Sequence, residues 1–236
     1  VIRTGIITAP RPRSTLAESV RSYRAAGFAN DVLVFSDGGD TVIADKVITM
    51  PNEERLGNKR NWIRALAVLS NGVDTGDWIM ICEDDISWSV GAARDLVESL
   101  LDLKRRDALR QAGALSLYAP RRVTSLVEKG HRLAQRQGYT GMQQGRKTWG
   151  AQCYVFTHHM AMTLLHDGQF RAMAGDFLRD KNIDAMIGQC LNDRGLNIAY
   201  RIPCLVDHDL GKGNSSLGYA DDRPKLETDY FRGPRA

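Results

Sequence analysis

No apolar run in these 236 residues approaches the ~20 needed to cross a bilayer, so no membrane-spanning helix is expected. Cysteine is sparse as well. Cys82, Cys153, Cys190 and Cys204 form no C-x-x-C pair, and three of them lie in apolar segments. That spacing argues against a zinc site and for reduced, buried thiols in a cytoplasmic protein. The opening "VIRTGIITAPRPR" enters a strand pattern directly, without the layout of a signal peptide. Several nucleotide and hydrolase signatures are missing too. No G-x-G-x-x-G follows the first strand, which argues against a dinucleotide-binding domain. No G-x-S-x-G elbow occurs, which argues against a serine hydrolase of that type. "GKGNSS", Gly211 to Ser216, fails the phosphate-loop spacing and opens no clear helix. His158 and His159 are adjacent, so they cannot form an i, i+4 metal pair and are read as the start or cap of a helix. There is no internal repeat and no linker that would cut the chain in two.

What is present is an ordinary globular balance, 43% hydrophobic and 25% charged, with enough apolar material for a sizeable core. The net charge of +4 is unevenly placed: Lys104 to Lys147 carries eleven Lys/Arg and two acids, Asp107 and Glu128. An anionic partner for that segment competes with a plain solvated face.

Short apolar strands alternate with amphipathic helices through the first half. "RTGIIT", "DVLVFSD", "TVIADKVITM", "DWIMIC" and "AGALSLY" read as strands. "TLAESVRSYRAAGF" places Leu16, Val20 and Tyr23 on one helical face, with Gly27 as the stop. "NKRNWIRALAVLS" is helical through Trp62, Ile63, Leu66 and Leu69, with Asn58 as a candidate cap, and "GAARDLVESLLDLKRR" follows the same period. "GAQCYVFT" resumes as a strand, "HHMAMTLLHD" and "IDAMIGQCLNDRG" as helices, and "LNIAYRIPCLVDHD" as one or two strands. This alternation predicts an α/β protein whose strands are parallel. The basic, glycine-dotted stretch 121–147 reads as a long loop, with a short helix around Leu126 to Gln135. The Gly- and Pro-rich tail 219–236 reads as a wrapping loop.

The segment "DWIMICEDDISW" sends an apolar strand straight into Glu83, Asp84 and Asp85. Three adjacent carboxylates at a strand end repel one another and are costly to desolvate. In open α/β sheets, ligands bind at the carboxyl ends of the strands. Alternation points Glu83 and Asp85 to one side and Asp84 to the other. Two close carboxylates suit a hard divalent cation, Mg2+ or Mn2+, which would neutralise a diphosphate. The competing reading is an acidic exposed turn.

"ICEDDISW" resembles the Glu-Asp-Asp form of the Asp-x-Asp motif of nucleotide-sugar-dependent glycosyltransferases with the GT-A fold. "TGIITAPRPRSTLAESVRSYRAAGF" resembles their opening strand, nucleotide loop and first helix, and "LVFSDGG" their second strand. "GNKRNWIRAL" resembles their segment beside the donor sugar and diphosphate. "NIDAMIGQCLNDRGLNIAYRIPCLVDH" resembles the late block that ends at a histidine. These blocks run in order from Thr4 to Gly218. The basic stretch from Arg121 to Lys147 has no clear counterpart there.

The resemblance implies a single-domain, GT-A-like (Rossmann-like), mostly parallel sheet flanked by helices. Residues 1–110 would form the nucleotide-sugar half and 111–218 the acceptor half. It implies a metal held by Asp85, Glu83 and His208. It implies a donor, a UDP-sugar by expectation, lined by Thr8, Pro10 and Arg11, with Asp37 near the base or ribose. Asn58, Lys59, Arg60 and Asp84 complete the donor set, the two cations facing the diphosphate. It further implies Asp184 as the general base of an inverting displacement, with Asp176 as the alternative. Trp88 and Trp149 are candidates for stacking on a sugar or base, against the commoner fate of core packing. The acceptor is either a glycan or small molecule, or DNA carrying a hydroxymethylated base. In the second case the basic segment 104–147 would hold phosphates of a flipped-out target, as in phage-type enzymes working in a host cytoplasm. A sugar-phosphate nucleotidylyltransferase and a non-enzymatic nucleic-acid-binding module are the alternatives.

Overall fold

The computed structural model describes residues 1–38, 41–105, 107–108, 111–119, 140–144, 152–175, 182–201 and 203–208. Ten strands are assigned among them: β1 Ile2–Thr8, β2 Val32–Ser36, β3 Val47–Pro51, β4 Trp78–Glu83, β5 Ser87–Trp88, β6 Ala112–Ser116, β7 Thr140–Gln144, β8 Cys153–Thr157, β9 Asn197–Arg201 and β10 Val206–Asp207. The helices are α1 Leu16–Ala25, α2 Asn58–Ser70, α3 Ala92–Arg105, α4 His158–His166, α5 Gly168–Gly175 and α6 Ile183–Asp193. None of the described helices is long and apolar enough to cross a membrane.

Eight strands form one mixed sheet in the order β3-β2-β1-β4-β8-β6-β9-β7. The β3-β2-β1-β4 half is parallel throughout. The second half is mixed, so the sheet as a whole is mostly parallel, as expected. β8 runs antiparallel to both β4 and β6, β9 is parallel to β6, and β7 is antiparallel to β9. The reversal at β8 has a local cause: a strand that enters from the same edge at which β4 leaves must run the other way.

Helices cover both faces, which is why the central strands read as continuous apolar runs. In β4, Ile79 and Ile81 pack with α2, α4, α5 and α6, while Met80 and Cys82 pack with α1 and α3. Each face therefore has its own core, and Glu83 continues the Ile79–Ile81 side by the same alternation. All four cysteines are buried free thiols.

Helix ends follow local chemistry. Gly27 (φ 97°) and Gly195 (φ 66°) leave α1 and α6 through the left-handed region, as the sequence predicts. Thr157 caps α4 by accepting a hydrogen bond from the Met160 amide, with His158 as the first helical residue. Asn58, by contrast, does not cap α2. That role falls to Gly57, whose φ of 78° suits glycine and carries the chain in from the 52–57 loop.

Two further expectations are corrected. The stretch 121–147 is not a continuous loop: Thr140–Gln144 forms the edge strand β7 against β9. The short helix expected around Leu126 to Gln135, Trp149, Asp176, "GKGNSS" and the tail lie outside the described residues. Trp88 is fully buried rather than available to stack on a ligand. Its ring packs edge-on against Tyr23 and Phe28, with centroids 5.4 and 4.8 Å away.

The approach of α6 to β6 sets a stability test. A Cβ on Gly113 would lie 2.2 Å from Leu191 Cδ2, and the Leu191 Cγ and Cδ1 atoms are also within 3.3 Å. Leu191 is itself fully buried and has little room to move. Gly113→Ala is therefore expected to cost about 1–3 kcal/mol by overpacking. An unchanged midpoint in denaturant unfolding would contradict this.

Candidate functional site

The parallel half gathers several of the expected site residues at one edge. β1, β2 and β4 end side by side, with Thr8 opposite Ser36 and Ile7 opposite Glu83. The chain leaves these strands through Ala9 to Arg11, Asp37, and Asp84 with Asp85. Thr8, Arg11, Asp37, Asn58 and Glu83 line one cleft there. A second cavity, of about 450 Å3, lies elsewhere, at the opposite edge among Ile2, Phe28, Trp78 and Leu100. It is apolar and holds none of the acids.

His208 reaches the acids through a separate two-stranded ribbon. β5 follows the acids, β10 precedes the histidine, and the two pair antiparallel with Val206 opposite Trp88 and Asp207 opposite Ser87. The same register brings His208 beside the acid turn. Its Nε2 lies 2.9 Å from Asp85 Oδ2, and Asp207 Oδ1 accepts its backbone amide at 2.9 Å. Potential ligand atoms of Glu83, Asp85 and His208 all lie within 4.8 Å of one another.

Asp84 faces away from that trio. Its Oδ2 accepts from Thr8 Oγ1, and its Oδ1 accepts from Arg11 Nε at 3.0 Å and Nη2 at 2.7 Å. Arg11 Nη1 also reaches Asp85 Oδ2 at 2.9 Å. Asp85 Oδ1 remains buried without a hydrogen-bond partner. An orphaned carboxylate oxygen beside a second carboxylate and an imidazole fits the donor set of a divalent cation.

Electrostatics follow from burial and crowding. Burial, reinforced by the charge of Asp85, raises Glu83 to about 8. Burial also raises Asp84, to about 6, against the pull of Arg11. Burial works against the charge on Asp85 too, but His208 and Arg11 outweigh it and its pKa is lowered. His208 rises to about 9: burial opposes its charge, and Asp85 overcomes that opposition.

The other residues of the expected donor set stand around the same edge. Asp37 is buried and its carboxylate accepts from Asn52 Nδ2 (2.7 Å), Leu56 N (2.6 Å) and Gly57 N (2.8 Å). It thus braces the 52–57 loop that launches α2. Asn58 and Arg60 are exposed and Lys59 half-buried on the first turn of α2, and Pro10 is exposed beside the cleft.

Asp184 is nearly buried in the first turn of α6, two residues past the cap Asn182, and its Oδ1 accepts from the Ala185 amide at 2.8 Å. Two residues absent from the sequence-based set stand near it. The Tyr154 and Tyr200 hydroxyls are buried without partners, and burial raises both phenols, with the charge of Asp184 adding to each. Both tyrosines lie opposite Ser116, one on each side of β6. Only strand register brings them together, so no local sequence signal marks them.

No protein-family model matches the sequence, and no curated protein matches it. Solved structures do share its fold. GalNAc-T7 with UDP, GalNAc and Mn2+ aligns with a TM-score of 0.57 over 95% of this chain and 47% of that one, at 12% identity. TarS of S. aureus aligns with a TM-score of 0.51 over 85% of this chain and 36% of that one, at 9% identity. The chain therefore spans less than half the length of these two structures, and its single-domain fold is GT-A-like.

Proposed function

We propose that the chain is a metal-dependent glycosyltransferase that moves a sugar from a UDP-sugar to an acceptor hydroxyl. The observation that carries this reading is the orphaned Asp85 Oδ1 within the Glu83–Asp85–His208 trio, at the ligand-binding edge of a GT-A-like sheet. The donor reading draws on GalNAc-T7, whose structure holds UDP and Mn2+. Mn2+ or Mg2+ bound by the trio would neutralise charge on the diphosphate leaving group.

The chain's own groups would do the rest. Thr8, Pro10 and Asn58 shape the nucleotide cleft, and Asp37 keeps its 52–57 wall in place. Lys59 and Arg60, on the first turn of α2, face the diphosphate oxygens with charge-assisted hydrogen bonds. Asp184 takes the proton from the acceptor hydroxyl as its oxygen attacks the anomeric carbon. The bond from that carbon to the diphosphate oxygen breaks, and the configuration inverts. The basic segment 104–147 supports an anionic acceptor, with DNA carrying a hydroxymethylated base as the specific candidate.

The test is a panel of UDP-sugars with Mn2+, offered with simple glycans and with hydroxymethylated DNA. Sugar transfer with UDP release, abolished by EDTA, is expected. Diphosphate release from a nucleoside triphosphate and a sugar phosphate, without any transfer from UDP-sugars, would instead identify a nucleotidylyltransferase. Metal-independent DNA binding that survives Asp85→Ala, again without transfer, would identify a nucleic-acid-binding module.

A further inference from the structure

The least expected feature of the site is where Arg11 has gone. Its side chain is only 9% exposed and reaches across two acids, bracketing Asp84 Oδ1 with Nε and Nη2 and meeting Asp85 Oδ2 with Nη1. Thr8 holds the other oxygen of Asp84. Thr8, Asp84, Arg11 and Asp85 thus form one continuous buried chain of hydrogen bonds. Asp84 is 2% exposed, so Arg11 cannot swing away without leaving a buried carboxylate supported by Thr8 alone. Arg11 also lines the cleft with Thr8, Asp37, Asn58 and Glu83.

We propose that Arg11 is an internal cation which balances the acid turn when the divalent ion is away, and so couples uptake of that ion to arrival of the nucleoside diphosphate. This deepens the sugar-transfer reading and rests on it. A guanidinium stays charged at every working pH. Held against Asp85 Oδ2, it opposes a dication approaching Oδ1 of the same carboxylate. It also orients Asp85, and loss of an outer-shell partner typically weakens a metal site by about 10–100-fold. These two effects have opposite signs. The repulsive one wins, because a bound ion itself orients Asp85 together with Glu83 and His208, whereas the guanidinium charge stays 2.9 Å from Asp85 Oδ2. A diphosphate entering the cleft would bring negative charge to both cations and lift the opposition. By reciprocity, the ion would strengthen nucleotide binding by the same factor.

The experiment is Mn2+ titration followed by loss of the free-ion electron paramagnetic resonance signal, with and without UDP. The parent is expected to bind Mn2+ weakly alone and at least tenfold more tightly with UDP. Arg11→Gln is expected to bind Mn2+ alone at least tenfold more tightly than the parent, with a smaller gain from UDP. Arg11→Lys keeps the charge and should behave like the parent. Arg11→Gln combined with Asp84→Asn removes one charge of each sign and leaves no unpaired buried acid. It should stay within about threefold of the parent, whereas a purely orienting Arg11 would show the 10–100-fold loss. Unchanged or weaker Mn2+ binding by Arg11→Gln, tight parental binding without UDP, or a large loss in the double variant overturns the proposal. A parent that binds neither Mn2+ nor UDP overturns the sugar-transfer reading itself.

Discussion

Asp184→Asn is expected to retain UDP and Mn2+ binding while sugar transfer falls by about 10^2–10^4-fold, the usual worth of a positioned acid or base. The substitution is nearly isosteric. The amide oxygen can still accept from the Ala185 amide, so the start of α6 should hold its shape. What is lost is basicity. An asparagine cannot take the acceptor proton, and the attacking oxygen would have to develop positive charge unaided. The discriminating quantity is therefore the ratio of turnover to UDP affinity. A fall in kcat at constant UDP affinity supports the base. A parallel loss of both would point to damage at the donor cleft. Transfer at the parental rate would remove Asp184 from the mechanism and direct attention to Asp176. The surroundings of Asp184 suit the assignment. Two buried phenol hydroxyls without partners lie within its electrostatic reach, so the carboxylate sits among donors rather than among hydrocarbon alone.

Much of the parallel half was legible in the sequence because there local pattern and tertiary role coincide. "WIMIC" is apolar because β4 is covered on both faces, and the acids follow directly at its carboxyl end. The α2 boundaries, Asn58–Ser70, match the periodic segment for the same reason. Legibility failed where a neighbour decides. β7 is a short glycine-containing strand in a basic segment, and it exists by pairing with β9. Trp88 follows the acids closely enough to suggest a ligand platform, yet it belongs to the aromatic cluster under α1. Asn58 is the residue type that caps helices, but Gly57 occupies the cap geometry and pushes Asn58 into the first turn. At the site, the alternation rule did separate Glu83 and Asp85 from Asp84. It could not foresee that Arg11, assigned to the nucleotide pocket from the resemblance, would span Asp84 and Asp85.

Mn2+ affinity is expected to climb steeply from pH 6 to pH 8, while the metal-free protein loses stability from pH 7 to pH 9. Both effects have one origin. Without an ion, Glu83 has a pKa near 8 and His208 near 9, so each holds a proton at neutral pH. Two protons then stand where one divalent cation would sit, and binding the cation must release them. The expected gain is about tenfold per pH unit for each proton released, that is, a slope between one and two in log affinity against pH. For stability, His208 has a folded pKa above its ordinary 6.5. Its contribution is full below that value and disappears as pH rises through about 9. Glu83 is also raised, so burying it becomes progressively less favourable between 4.5 and about 8. The two act in the same direction. Asp84 titrates near 6 and the lowered Asp85 titrates below the ordinary carboxylate range, so neither changes charge appreciably above pH 7. Thermal melts in EDTA and calorimetric Mn2+ titrations at pH 6, 7 and 8 check both statements. A flat affinity profile, or a metal-free midpoint that rises between pH 7 and 9, would mean that Glu83 and His208 are not protonated together. Saturating Mn2+ should abolish the alkaline loss, because the ion then neutralises the same carboxylates without a proton to lose.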